Sequence, residues 1–193
     1  ANKRREVTNM KQAVPLEHVR NLSKGLDVGK SMKQSLLDSD TGIISEIKRK
    51  SPSLGFIKEF ADVEIIARHY DLAGCSAISV LTDHDFFGGS INDLKIVKAN
   101  VRCPVLRKDF MIDPYQIYQS KILGADTILL IASALTMDEA YDMGALAHDL
   151  GMEVLLEIHD ETELDYISRY TDMVGVNNRN LKTFVTDVST SYS

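Results

Sequence analysis

VLRKDFMIDPYQIYQSKILGADTILLI, residues 105–131, reads as one complete structural unit. It opens on a short apolar run and turns charged at Arg107, Lys108 and Asp109. Asp113-Pro114 follows, a capping residue and a first-turn proline that together start a helix. Gly124 supplies the stop, and Thr127 to Ile131 is a second short run rich in leucine and isoleucine. A strand, a helix and a strand in this order make two parallel strands joined by a right-handed crossover.

The same texture extends in both directions. Runs at 43–48, 77–81, 105–109, 127–131, 152–158 and 173–177 predict six strands. Asp62 opens a helical stretch that closes at Gly74, and Ser90 opens another. Thr136 caps one running to Gly151, and Asp160 or Thr162 caps a fifth with Leu164 and Ile167 on its apolar side. Strict alternation leaves an α/β fold of either an open doubly wound sheet or a barrel. No GxGxxG follows the first run and no GxxxxGK[ST] occurs, so the barrel is favoured. Before residue 43 the chain is polar and helix-compatible, with Leu16, Val19 and Leu22 at helical spacing after Pro15 and a second stretch at 32–37. The expected layout is a helical extension over 1–42 and barrel units over 43–193.

Composition narrows the class. The 193 residues carry 22 basic and 28 acidic side chains, a net charge of −6, with 44% hydrophobic and 26% charged residues. These are values of a globular domain, which excludes a disordered, collagen-like or disulfide-rich chain. The longest apolar stretch, 127–135, is far short of the roughly 20 residues of a membrane helix. The first eleven residues are polar, unlike a signal peptide. A cytoplasmic protein with no membrane partner is expected. Cys75 and Cys103, without a CxxC, read as reduced thiols. The acidic balance argues against nucleic acid as a partner.

In parallel α/β folds functional groups gather at the carboxyl ends of the strands. Four such ends are unusually polar here. The two-residue strand period puts Glu46 and Lys48 on one face at the end of the first run, with Ile47 opposite. It pairs Lys108 with Phe110 on the third run and Asn177 with Arg179 on the sixth, and sets Glu157 alone inside an apolar fifth run. Converging at one barrel mouth, these residues supply acids, bases and anion ligands. Crowding or burial would lower a lysine and raise a glutamate toward the working pH. The long connection 49–61, with Ser51, Pro52, Ser53 and Gly55, reads as a flexible lid for an anionic substrate. Phe87, ahead of Gly88-Gly89, is a candidate stacking residue. The five histidines show no ligand spacing, so neither a metal nor an organic cofactor is expected.

The residues also carry a resemblance. ISEIKRKSPSLG at 44–55, SVLTD at 79–83, FFGGS at 86–90 and LRKDFMID at 106–113 resemble the indole-3-glycerol-phosphate synthase family. GAD at 124–126, ILLIA at 128–132, LLEIH at 155–159 and GVNNRNL at 175–181 continue it along essentially the whole chain. The resemblance implies a TIM barrel with an N-terminal helical extension, and an enzyme of tryptophan biosynthesis. It would close the indole ring of 1-(2-carboxyphenylamino)-1-deoxyribulose 5-phosphate with release of carbon dioxide and water, without a cofactor.

Lys108 would then be the general acid toward the ribulose carbonyl. Lys48 would hold a substrate anion and donate a proton in dehydration. Glu157 would be the base completing aromatisation, and Glu46 would orient the lysines and stabilise the cationic intermediate. Asn177 and Arg179 would contact hydroxyls and carboxylate, Ser51 and the lid would cover the phosphate, and Phe87 and Phe110 would flank the anthranilate ring. A closed barrel needs eight strand–helix units, and residues 43–193 hold six. An incomplete barrel lacking its C-terminal quarter is therefore expected, with open edges on the first and sixth strands able to self-associate. An inactive, self-associating fragment is one alternative. Another phosphosugar barrel such as phosphoribosylanthranilate isomerase is a second, although it would call for a carboxylate and cysteine pair rather than lysines with Glu157.

Overall fold

A computed structural model describes residues 2–178. Six parallel strands form one sheet in chain order: Ile44–Ile47, Ala77–Leu81, Val105–Lys108, Thr127–Ile131, Glu153–Ile158 and Met173–Val176. Every expected run is a strand. The order never reverses, so the sheet has no topological switch point, and the doubly wound alternative falls. The winding is that of a partial TIM barrel. Among the described residues the first strand pairs with the second alone and the sixth with the fifth alone.

Strand alternation sorts the side chains. Ile47, Val80, Ile128, Leu130 and Leu156 face outward into the main core, where Ala67, Leu94, Ile117 and Ala147 of the crossover helices meet them. Ala77, Leu106, Leu129 and Ile131 face inward and pack with Met32. The helices begin where the sequence predicts. Asp62, Ser90 and Asp113 accept hydrogen bonds from the amides of Ile65, Asp93 and Tyr115, and Thr136 forms a reciprocal capping box with Glu139.

The helices Asn2–Ala13, Leu16–Leu22 and Met32–Leu37 precede the sheet. Val7 and Val19 of the first two pack on Tyr115. The third closes the amino end of the half-barrel. There the Glu153 carboxylate accepts from the Ser31 hydroxyl and, at 2.9 Å, from the Lys33 amide, while the Ser35 hydroxyl donates to the Ser76 carbonyl at 2.6 Å. The extension thus shares its core with the sheet.

Three local features differ from expectation. The segment after Asp160 is a 3-10 helix, Glu161–Tyr166, rather than an α-helix. Its amides bond three residues back, Glu163 to Asp160 and Ile167 to Leu164, and the Glu163 carboxylate reaches back to the His159 amide, which holds the turn tight. A four-residue helix, His84–Phe87, interrupts the connection after the second strand, capped by Asp83 and ended by Gly88 at φ 64°. The lid is not a featureless loop: Lys50–Ser51 and Gly55–Phe56 pair as a small antiparallel ribbon. The Arg49 carbonyl closes it by accepting from the Ile57 and Lys58 amides at 2.8 and 3.1 Å.

Candidate active site

The first strand delivers Glu46 inward while Ile47 anchors in the core, 4% exposed. Glu46 stands between two cations. Its Oε1 lies 2.7 Å from Lys48 Nζ and its Oε2 lies 3.0 Å from Lys108 Nζ, on the third strand. Burial alone would raise the Glu46 carboxyl, but the charge of Lys108 and hydrogen bonds from both lysines outweigh it and hold the group below its ordinary range. It is a carboxylate at neutral pH, a fixed negative charge that keeps two ammonium groups close together.

Across the sheet, the fifth and sixth strands place a second polar pair. Asn177 Nδ2 donates to Glu157 Oε1 at 2.9 Å. Between the two pairs lies a cleft of about 300 Å³. Lys48, Lys108, Asp109, Glu46, Glu157 and Asn177 line it on the polar side, and Phe87, Phe110, Leu81, Leu129, Ile131 and Pro52 form an apolar wall. Phe87 and Phe110 are tilted neighbours at 6.3 Å, and Phe86 meets Phe110 edge-on at 5.9 Å. Such a site offers a flat apolar slot beside paired cations and a carboxylate, suited to an anionic substrate bearing an aromatic ring.

Seven of the nine sequence-predicted site residues therefore share one cleft: Glu46, Lys48, Phe87, Lys108, Phe110, Glu157 and Asn177. Ser51 does not line it. Its side chain is buried beneath the ribbon, where the hydroxyl accepts from the Leu54 amide at 3.2 Å, and its neighbour Pro52 faces the cleft instead. Arg179 lies outside the described residues. Among the described residues no group of three His, Cys, Asp or Glu side chains is arranged to hold a metal ion.

The loop that carries Phe87 is fixed by backbone contact. A Cβ on Gly89 would lie 2.0 Å from the Leu81 carbonyl oxygen, so the chain can turn here only with glycine. Arg49, at the root of the lid, makes a two-pronged pair with Asp93 and reaches the Gly88 carbonyl at 3.3 Å. Lid, aromatic loop and helix start are thereby tied together.

Sequence reasoning missed a second ionic cluster behind this cleft. Arg107, fully buried on the outer face of the third strand, donates to Thr82 Oγ1 and Ser120 Oγ at 3.1 Å and to Asp109 Oδ2 at 3.1 Å. Lys3, from the first helix, reaches Asp83 and Asp109 at 2.8 Å and Glu6 at 2.7 Å. Burial would lower the Lys3 ammonium, but the charge of Asp109 and the close carboxylates of Asp109, Asp83 and Glu6 raise it well above its ordinary value. Burial would likewise raise Asp109, and Arg107 and Lys3 reverse this, so that it is held low. It also missed His159, whose spacing to Glu157 (two) and Glu163 (four) was the available signal.

The family model described as indole-3-glycerol phosphate synthase matches residues 1–193. A relative of that name from Bacteroides thetaiotaomicron is 51% identical over 192 residues, covering 100% of this chain and 74% of its own. One from Neisseria meningitidis serogroup B is 47% identical, covering 95% of this chain and 73% of its own. One from Prochlorococcus marinus is 46% identical, covering 96% and 64%.

Proposed function

Because this chain belongs to the indole-3-glycerol phosphate synthase family, we propose that it closes the indole ring of 1-(2-carboxyphenylamino)-1-deoxyribulose 5-phosphate, releasing carbon dioxide and water. The observation that carries this reading is the Lys48–Glu46–Lys108 triad facing Glu157 and Asn177 across an apolar slot. The reaction is one of tryptophan biosynthesis. Its substrate presents the same combination in reverse: a carboxylate, a phosphate and a flat ring.

The ring carbon bearing the carboxylate attacks the ribulose carbonyl. Lys108 donates a proton to the carbonyl oxygen as it becomes a hydroxyl, and the Glu46 carboxylate steadies the cationic ring that results. Loss of carbon dioxide returns the electron pair and restores the benzene ring. Lys48 then protonates the departing hydroxyl, and Glu157 takes a proton from the methylene carbon next to nitrogen, completing the indole. Phe87 and Phe110 flank the ring and exclude water while charges develop. Asn177 fixes the Glu157 carboxylate, Arg179 contacts substrate oxygens, and the lid, with Pro52 facing the cleft, covers the phosphate end. A cytoplasmic setting is part of this reading, in which Cys75 and Cys103, with sulfurs 3.9 Å apart, are reduced thiols. Among the described residues no helix is long and apolar enough to cross a membrane.

The test is conversion of this substrate to indole-3-glycerol phosphate, followed by absorbance, in wild type and Glu157→Gln. Turnover in wild type with at least about a hundredfold loss of kcat in the variant is expected. No product, or equal rates, refutes the assignment. A second reading, self-association through strand edges, is favoured by the single partner of the first and of the sixth strand among the described residues. Sedimentation decides it, since a monomer at all concentrations contradicts self-association.

A further inference from the structure

Glu157 must give up the proton it takes before it can act again, yet its side chain is only 14% exposed. The group facing it is His159. His159 Nε2 lies 3.7 Å from Glu157 Oε1, the same oxygen that accepts from Asn177. On the other side of the ring, Nδ1 lies 3.3 Å from Glu163 Oε2, an oxygen that also accepts from the His159 amide at 2.7 Å. Glu163, fixed by the backbone, favours the Nδ1–H tautomer, and in that form Nε2 presents its lone pair toward the Glu157 carboxylate oxygen.

His159 Nε2 is buried without a hydrogen-bond partner, and in the Nδ1–H form it faces the Glu157 oxygen as one acceptor faces another. A buried polar atom left unpaired is costly at rest and needs an explanation. Arrival of a proton on Glu157 supplies one, because Oε1–H can donate to Nε2 along the existing line of approach. We propose that His159 is a positioning residue for Glu157 and the acceptor of its proton, with Glu163 holding the ring in the Nδ1–H form. The transfer moves one proton: the Glu157 O–H bond breaks, the Nε2–H bond forms, and the imidazolium is stabilised by Glu163 until water removes the proton. Asp160, Glu161, Asp165 and Tyr166 are the other titratable side chains on the adjoining turn.

The inference rests on the role proposed for Glu157, and its test separates the two. Nitrogen-15 NMR of the histidine rings in the wild-type chain reads the tautomer without any turnover. The neutral His159 ring is expected as Nδ1–H in wild type and shifted to Nε2–H in Glu163→Ala. A wild-type ring in the Nε2–H form overturns the relay whatever the activity. In the turnover assay, His159→Asn is expected to lower kcat about tenfold or more with KM within about twofold. His159→Ala should regain part of the rate when imidazole is added. An unchanged kcat, or a loss that follows the unfolding midpoint and resists imidazole, overturns the relay while leaving the ring-closing activity standing. Absence of product from wild type refutes that activity alone.

Discussion

Arg107 and Lys108 are adjacent on one strand and end up in opposite chemistry. Arg107 points outward, fully buried, with its guanidinium shared among Thr82, Gln116, Ser120 and Asp109. Lys108 points inward, with its side chain 33% exposed and Glu46 as its hydrogen-bond partner. A saturated, buried cation has nothing left to give a substrate and serves the fold. A cation with one anchor and room in front of it can bind and transfer protons. The same strand period that separates core from cleft therefore separates a saturated structural cation from one open to a ligand.

That contrast can be broken from both sides. Lys108→Met should lower kcat by about a hundredfold to ten-thousandfold, equal to about 3–5 kcal/mol of barrier, with little change in the unfolding midpoint. Arg107→Met should do the reverse, costing roughly 3 kcal/mol or more in denaturant unfolding, because it removes one cation from the buried Asp109 carboxylate. Gly89→Ala should cost about 1–3 kcal/mol by forcing the chain off the Leu81 carbonyl, with KM rising as the Phe87 loop moves.

The acid limb sharpens the same comparison. Asp109 is held below its unfolded value, so its contribution is present above about pH 4 and is lost as the pH falls through the lower, folded value. Wild type should lose stability over that window, and Asp109→Asn should be less stable at neutral pH but flatter below it. Thr136→Ala, remote from both clusters, should cost about 1 kcal/mol by removing the capping box and leave the rate unchanged.

Much of this was legible in residue order. The six strands, the caps at Asp62, Ser90, Asp113 and Thr136, and the gathering of Glu46, Lys48, Lys108, Glu157 and Asn177 follow from local period and capping chemistry, which a sequence displays directly. The buried cluster did not show, because Lys3 meets Asp83 and Asp109 only after the first helix has docked across the barrel end. Ser51 shows the opposite limit. The resemblance implies that it covers the phosphate with the lid, whereas in the short Lys50–Ser51 and Gly55–Phe56 ribbon its hydroxyl accepts from the Leu54 amide. Two-residue pairings carry no periodic signal, so such a contact is invisible before the fold is known.

The central claim is that the inward face of the third strand performs the chemistry and the outward face supports it. The most direct measurement uses substrate carrying carbon-13 in its anthranilate carboxylate, and follows labelled carbon dioxide and indole product together in wild type, Lys108→Met and Thr136→Ala. Equal yields of both products from wild type and Thr136→Ala, with release of neither from Lys108→Met above about one hundredth of the wild-type rate, are predicted. Labelled carbon dioxide released by Lys108→Met at the wild-type rate would contradict the account.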